Sequence, residues 1–453
     1  MNSGSTMLIS IDHDETAVSI LPGNLENYSR NAFTAIVGKN GVGKSRLLSN
    51  IVKASTASSL SDLGNPNSEQ FVIAISTNLF DKFPLPDRYR ERTNQNYKYI
   101  GVRSDVMSSR SAAGLIASAA KGLLEKICFK DDINLSNAFR ALQFNSTIEL
   151  TLKPTLVEIG RYRANPEFRV KSKFLAELQQ ILSVNGGIGV ALRDEFPDWN
   201  DERLELIASS IEILGQQFMA GKSFRLLVDL QSNECRLDGE HIDRRKIEAI
   251  HNLIGSKNLL RFMDIRLNKV GHGELSLRLA SSGEQCMMIM LLGIAGYIKN
   301  DALIVIDEPE VSLHPRWQEE FMPLLESCFE SYSGCQFIIA THSPQIISRM
   351  SSENSYILSL SKRELHCAKD FNRKSADYQL AELFDAPGLM NEYISRSGFN
   401  LIAKLNSRKV IDDEIASEMS KLLELKTKLE PGDPVIGLIA SVEGLFAHYA
   451  NNK

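Results

Sequence analysis

Gly38, Gly43, Lys44 and Ser45 stand in the stretch AIVGKNGVGKS, residues 35–45, at the spacing G-x-x-x-x-G-K-[ST]. The chemistry that suits this spacing is phosphate binding. Small residues let successive backbone N–H groups curl around phosphate oxygens, and the N-terminus of a following helix adds its dipole. Gly38, Lys39, Asn40, Gly41, Val42, Gly43, Lys44 and Ser45 would line such a loop. Lys44 would reach the β- and γ-phosphates of a nucleotide, and the Ser45 hydroxyl would ligate Mg²⁺. A chance glycine loop is the competing reading. The flanks weigh against it, because FTAIV at 33–37 reads as a buried strand and RLLSNIV at 46–52 as a helix.

Three further stretches could act on the same phosphates. LIVIDE at 303–308 is an apolar strand that empties two carboxylates at its C-terminal end, where open α/β sheets place ligands. Asp307 would hold Mg²⁺, and Glu308 would polarise the attacking water. QFIIA at 336–340 is another buried strand, and it runs into Thr341, His342 and Ser343. A lone histidine is usually structural, but one at a strand end of this sheet is placed for a γ-phosphate contact. FVIAIS at 71–76 is a further strand with a polar exit through Thr77 and Asn78.

The elements that position these residues must come from a large chain. Its 453 residues exceed one ordinary core, so two or three domains are expected. A net charge of −5 argues against the whole molecule being an electrostatic nucleic-acid binder. Basic and aromatic residues between Lys82 and Arg110 leave a local patch open, with a solvated loop as the plainer reading. The six cysteines form no C-x-x-C pair, which suggests neither zinc nor disulfides and fits a reduced cytoplasmic setting. No signal peptide is seen, and CMMIMLLGIAGY at 286–297 is too short to span a bilayer.

In chain order the pattern predicts two short strands within 7–21, a loop over 53–69 and a helix over 111–143. Strand pieces follow at 146–159, then helices at 171–183 and 202–219. Hairpins are expected at 224–238, 265–279 and 355–367, and helices over 376–406 and 410–428 with a short helix to close.

GKNGVGKS, SSGEQ, LIVIDEPE and ATHSP, in that order, resemble the motifs of ABC-class ATPases, most closely the soluble SMC/RecF/OLD-like branch. The resemblance implies an α/β fold: an ABC-type head with a P-loop mixed sheet and an antiparallel β-subdomain, a mainly helical insert and a helical C-terminal extension. The matching boundaries are 1–80 and 261–367 for the head, 81–260 for the insert and 368–453 for the extension. It also implies a homodimer that sandwiches two ATP molecules, with higher assembly left open. Ser282 and Gly283 would then cap the γ-phosphate in trans, at a helix beginning near Glu284. His342 would be the switch histidine, and residues 310–314 would join the two sites. The family's glutamine after the second sheet strand is not obvious, with Asn78 or Ser76 as its substitute.

FVIAISTNLFDKFP, YKYIGVRS and SADYQLAELFDAPGLMNEYI are similar to the PtuA ATPases of Septu anti-phage systems, some of them retron-associated. That similarity implies an ATPase controlling a separate HNH nuclease, PtuB, with retron RNA or DNA, or phage DNA, as a candidate ligand and no membrane association. The alternative is a RecF/SMC-like DNA-repair or DNA-maintenance ATPase. A long coiled coil is missing from the sequence, which disfavours SMC heads but not a RecF-like clamp. An OLD-type nuclease fits poorly, because the acidic run after His342, at Asp412, Asp413 and Glu414, has a helical context without the strand-end carboxylates that two-metal chemistry needs. A transporter subunit fits poorly with DEPEVSLHP and the large insert.

Overall fold

Each apolar run that precedes a motif folds as a strand of one sheet. The computed structural model describes residues 7–23, 29–61, 70–78, 80–85, 96–101, 112–129, 139–140, 143–154, 199–215, 217, 222–232, 234–254, 259–277, 279–351 and 353–451. The chain divides into two units, the first made of residues 1–97, 299–323 and 332–453 and the second of residues 98–298 and 324–331.

The chain opens with strands β1 (Ser10–His13), β2 (Thr16–Ser19) and β3 (Ala32–Val37). Helix α1 (Lys44–Ser61), β4 (Val72–Ser76) and β5 (Tyr97–Gly101) follow, and the unit's first segment ends at Tyr97. The next stretch holds α2 (Ala112–Phe129), β6 (Phe144–Pro154), α3 (Asp201–Ile213), β7 (Phe224–Asp229), β8 (Glu234–Leu237) and β9 (Glu240–His241). It continues with α4 (Arg244–Ile254), β10 (Leu260–Lys269), β11 (Gly273–Ser276) and α5 (Ser282–Tyr297). Then come β12 (Leu303–Asp307), α6 (Pro315–Cys328), β13 (Gln336–Ala340), α7 (Pro344–Ser348), β14 (Ser355–Ser359) and β15 (Glu364–Cys367). Helices α8 (Ala376–Glu382), α9 (Glu392–Arg408), α10 (Asp413–Lys426) and α11 (Pro434–Asn451) complete it.

The first unit is built on strands in the order β15-β14-β3-β13-β12-β4. Strands β14, β3, β13, β12 and β4 run parallel, and β15 is antiparallel at the edge. β3, β4, β12 and β13 are buried at every position. That is why they read as continuous apolar runs, as strands covered on both faces do. Phe33 and Phe337 stack across neighbouring strands at 4.7 Å between centroids. The register aligns the C-terminal ends: Asp307 lies opposite Ala340 on one side and Ser76 on the other, and Ala340 lies opposite Ile36. Four motif-bearing exits therefore open at one edge of the sheet. Helices α9, α10 and α11 form their own core from Leu401, Leu405, Ile415, Met419, Leu422, Ile439 and Val442. Side-chain caps from Asn391 and Asp412 start α9 and α10, each worth about 1 kcal/mol.

The second unit carries an antiparallel sheet in the order β11-β10-β6-β7-β8-β9. Segment 81–260, expected to be mainly helical, supplies β6 to β9 to it as well as three helices among the described residues. α5 is apolar on nearly every face and buried accordingly. A Cβ on Gly296 would stand 2.6 Å from the Gly122 carbonyl carbon, so α2 and α5 touch backbone to backbone. The fold is thus mixed α/β, with a mainly parallel sheet, an antiparallel sheet and C-terminal helices, as the motifs imply.

Several sequence expectations need correction. α1 continues to Ser61, so residues 53–61 are helix rather than loop. The Ser- and Thr-rich sequence hides this, and the Thr56 hydroxyl donates a hydrogen bond back to the Val52 carbonyl within the helix. The closing helix is not short but runs 18 residues. α5 begins at Ser282, two residues before Glu284, because Ser281 takes the cap. The helix expected at 171–183 and most of the basic stretch between Lys82 and Arg110 lie outside the described residues.

Candidate functional site

The loop between β3 and α1 holds glycines where side chains would fail. Gly38 has φ +150°, and a Cβ there would meet Ser361 Oγ at 2.9 Å. Gly43 has φ +105°, with His13 Nε2 3.2 Å from its missing Cβ. Lys39, Asn40 and Gly41 are exposed, Val42 and Gly43 half-buried, and Gly38 buried. Lys44 is only 5% exposed and folds back over the loop. Its Nζ donates to the Gly38 carbonyl at 3.0 Å and the Lys39 carbonyl at 3.3 Å. Burial pulls its pKa down to about 8, against the pull of Glu308, Glu310 and Asp307. It is therefore charged at neutral pH, with three carboxylates close by.

The exit of β12 meets this loop. Ser45 Oγ donates to Asp307 Oδ1 at 3.1 Å. Burial pushes the Asp307 carboxyl up to about 7, and the charges of Glu308, Asp81 and Glu310 add to the effect while Ser45 opposes it. A hydroxyl beside a destabilised carboxylate is an oxygen donor pair suited to a small hard cation. Among the described residues, no group of three or more His, Cys, Asp or Glu side chains is arranged for a metal ion. A Mg²⁺ that takes its remaining ligands from phosphate and water needs no such group.

Glu308 sits in the left-handed region, with φ 49° and ψ 57°. Its N–H donates to the Ala340 carbonyl at 3.0 Å, an extra rung that holds this turn to β13. Asn78, at the exit of β4, donates from Nδ2 to Glu308 Oε2 at 2.8 Å and caps its own turn by accepting from the Phe80 N–H. Ser76 Oγ accepts from the Asn78 N–H at 3.0 Å. Of the two substitutes weighed for the missing glutamine, Asn78 contacts the carboxylate and Ser76 supports Asn78.

His342 closes the group from β13. Its Nδ1 lies 3.3 Å from Lys44 Nζ and its Nε2 3.6 Å from Glu308 Oε1. With Lys44 charged, Nδ1 is the acceptor and Nε2 carries the proton toward Glu308. Burial and Lys44 both lower the pKa of this ring, and Glu308 opposes them. The neutral imidazole is thus the resting form.

Behind these residues lies a support that the motifs alone do not reveal. Glu310 accepts from Thr341 Oγ1 at 2.9 Å and from the His342 N–H. Burial raises its pKa in spite of those donors. Thr341 Oγ1 accepts from the Ser343 N–H, Ser343 Oγ donates to Gln318 Oε1 at 2.7 Å, and Gln318 Nε2 donates to the Leu313 carbonyl at 2.9 Å. Thr341 and Gln318 were not expected as site residues. Gln318 sits on α6 in a polar helix, with no local signal of its role.

Of the expected site residues, Gly38–Ser45, Asp307, Glu308 and His342 come together in the first unit. Ser282 and Gly283 belong to the second unit, at the first turn of α5. Ser282 is exposed and Gly283 buried. The turn is set by a reciprocal cap: Ser281 Oγ accepts from the Glu284 N–H, and Glu284 Oε2 accepts from the Ser281 N–H. Lys269 stands 3.5 Å from Glu284 Oε1.

Comparison with known proteins adds the following. Residues 202–348 match the family described as "AAA domain, putative AbiEii toxin, Type IV TA system", a span holding Ser282, Gly283, Asp307, Glu308 and His342. The chain is similar to the Retron Ec83 probable ATPase of Escherichia coli, 25% identical over 179 residues, which cover 34% of this chain and 32% of that protein. It is also similar to the Retron Vc95 probable ATPase of Vibrio cholerae serotype O1 biovar El Tor, 32% identical over 107 residues, covering 21% of this chain and 20% of that protein. The matches thus span a third or less of each curated relative's length. Among solved structures, the SMC head domain from Thermotoga maritima aligns with 30% of this chain and 64% of its own, at 15% identity and a TM-score of 0.18.

Proposed function

We propose that this chain is a Mg²⁺-dependent ATPase whose ATP-driven homodimerisation controls a partner nuclease in anti-phage defence. The observation that carries the ATPase reading is the meeting of Ser45 with Asp307 and of Lys44 with His342, where the start of α1 faces the C-terminal ends of β12 and β13. The loop N–H groups and Lys44 bind the β- and γ-phosphates and offset their charge. Ser45 and Asp307 would hold Mg²⁺, which when bound draws charge from the phosphate oxygens. Glu308, steadied by Asn78, orients and polarises the attacking water. His342 lies beside both Lys44 and Glu308, so it reports the γ-phosphate to the carboxylate. Ser282 and Gly283 supply the opposite cap from a second copy.

The defence reading rests on the names of the curated relatives, both retron probable ATPases, and on the toxin–antitoxin description of the matched family. An HNH nuclease of the PtuB kind is the proposed partner. These names favour defence over the DNA-repair alternative.

The test is phosphate release by the purified protein with Mg²⁺-ATP, beside Glu308→Gln. We expect the variant to lose turnover, to keep ATP bound and to elute as a dimer with ATP. Unchanged hydrolysis would remove Glu308 from this role. Co-purification with the products of neighbouring genes, followed by a nuclease assay with and without ATP, tests the partner. ATP-dependent DNA binding by the chain alone, with no nuclease encoded nearby, would favour repair.

A further inference from the structure

The second residue of the phosphate loop is tied to the C-terminal helices. Lys39 Nζ stands 3.2 Å from Asp385 Oδ2, and Lys428 Nζ stands 2.9 Å from Asp385 Oδ1. Asp385 lies in the connection between α8 and α9, and Lys428 just beyond α10. Lys428 is 11% exposed and Asp385 20%, whereas Lys39 is 52% exposed. The carboxylate is therefore anchored on its buried side by the helices and reaches outward to the loop.

The connection carrying Asp385 is itself held in place. Ser359 Oγ donates to the Leu383 carbonyl at 3.1 Å, and Lys362 Nζ to the Glu382 carbonyl at 2.9 Å. Asp385 has φ 57°, a conformation that costs a non-glycine residue energy and persists where the surroundings impose it. The turn between β14 and β15 flanks the loop a second way. Ser361 Oγ accepts from the Lys39 N–H at 3.4 Å and fills the space beside Gly38. Burial disfavours the charged form of Asp385, yet Lys428 and Lys39 outweigh it and hold the carboxyl below the usual range. The group is ionised at neutral pH.

We propose that Asp385 is a positioning residue for nucleotide binding: it orients the phosphate loop through Lys39, and through Lys428 it makes that hold depend on the C-terminal helices. This rests on the ATP-binding reading above. It gives the C-terminal helices a role at the nucleotide, so a partner that docks on them would alter ATP affinity.

Calorimetric titration of Mg²⁺-ATP and steady-state hydrolysis test it, on the wild type, Lys39→Ala, Asp385→Asn and the double variant. The Lys39 pair is half-exposed, so its loss is expected to weaken ATP binding about two- to fivefold. KM should rise alike, with kcat within about twofold. In the Lys39→Ala background Asp385→Asn should add nothing, because both remove one link. Lys428→Ala should shift affinity in the same direction. Unchanged affinity in Asp385→Asn, or additive effects in the double variant, would overturn the proposal. A wild type that binds no ATP would instead overturn the ATPase reading beneath it.

Discussion

Asp307 carries an energetic cost in the nucleotide-free protein. Burial pushes its folded pKa up to about 7, from an ordinary aspartate value of 3.8. The cost of ionising it is absent below pH 4, grows as pH rises to 7 and stays constant above. At 1.36 kcal/mol per pKa unit it is at most about 4 kcal/mol. Asp307→Asn should therefore raise the melting temperature of the nucleotide-free protein at pH 8, with the gain fading toward pH 4, while Mg²⁺-dependent hydrolysis is lost. Thermal melts across pH check the sign; a lower melting temperature at pH 8 would contradict it. Asn78 makes a different kind of contribution, one hydrogen bond to a carboxylate. Asn78→Ala should lower kcat about tenfold with KM within about twofold, since such bonds are worth roughly 1.5 kcal/mol or more. A rise in KM alone would assign Asn78 to binding. At this scale the motifs were legible because phosphate and metal chemistry demands fixed residue types. Asn78 was legible only as a substitute, and the Glu310–Thr341–Ser343–Gln318 relay not as a connected support, since side chains far apart in sequence build it.

At the scale of elements, apolar runs with polar exits marked β3, β4, β12 and β13, because a doubly covered strand has no polar alternation to confuse the reading. Ends were less legible. Ser, Thr and Ala in 53–61 carry turn-like and helix-like preferences together, and the helix that buries Leu47, Leu48, Ile51 and Val52 just upstream runs on through them. The contact between α2 and α5 was silent in sequence, because a glycine in an apolar helix reads as a weak point. Gly296→Ala would force a Cβ to 2.6 Å from backbone. It should destabilise the protein by about 1–3 kcal/mol, the cost of overpacking, where the same change at an open helical position would be neutral or better. A denaturant melt beside Gly437→Ala, whose Cβ would meet nothing within 4 Å, makes the comparison.

At the scale of the molecule, the expected site residues fall in two units, the phosphate loop with Asp307, Glu308 and His342 in one and Ser282 with Gly283 in the other. In the dimer proposed here, ATP joins one copy's first unit to the other copy's second. Ser282→Arg should therefore block ATP-driven dimerisation of the Glu308→Gln protein while each monomer still binds ATP; size-exclusion chromatography with and without ATP reads the difference. An intact dimer would refute the trans assignment. Among the described residues, no helix is long and apolar enough to cross a membrane.

Glu308 holds φ 49°, where glycine or asparagine would sit more comfortably. An engineer optimising this backbone for heat resistance would replace it early. Such a variant would be expected to melt later and turn over nothing. Screens for thermostable forms of this protein should therefore enrich inactive sequences at this position, and a stability score taken alone would rank the most damaged catalyst among the best.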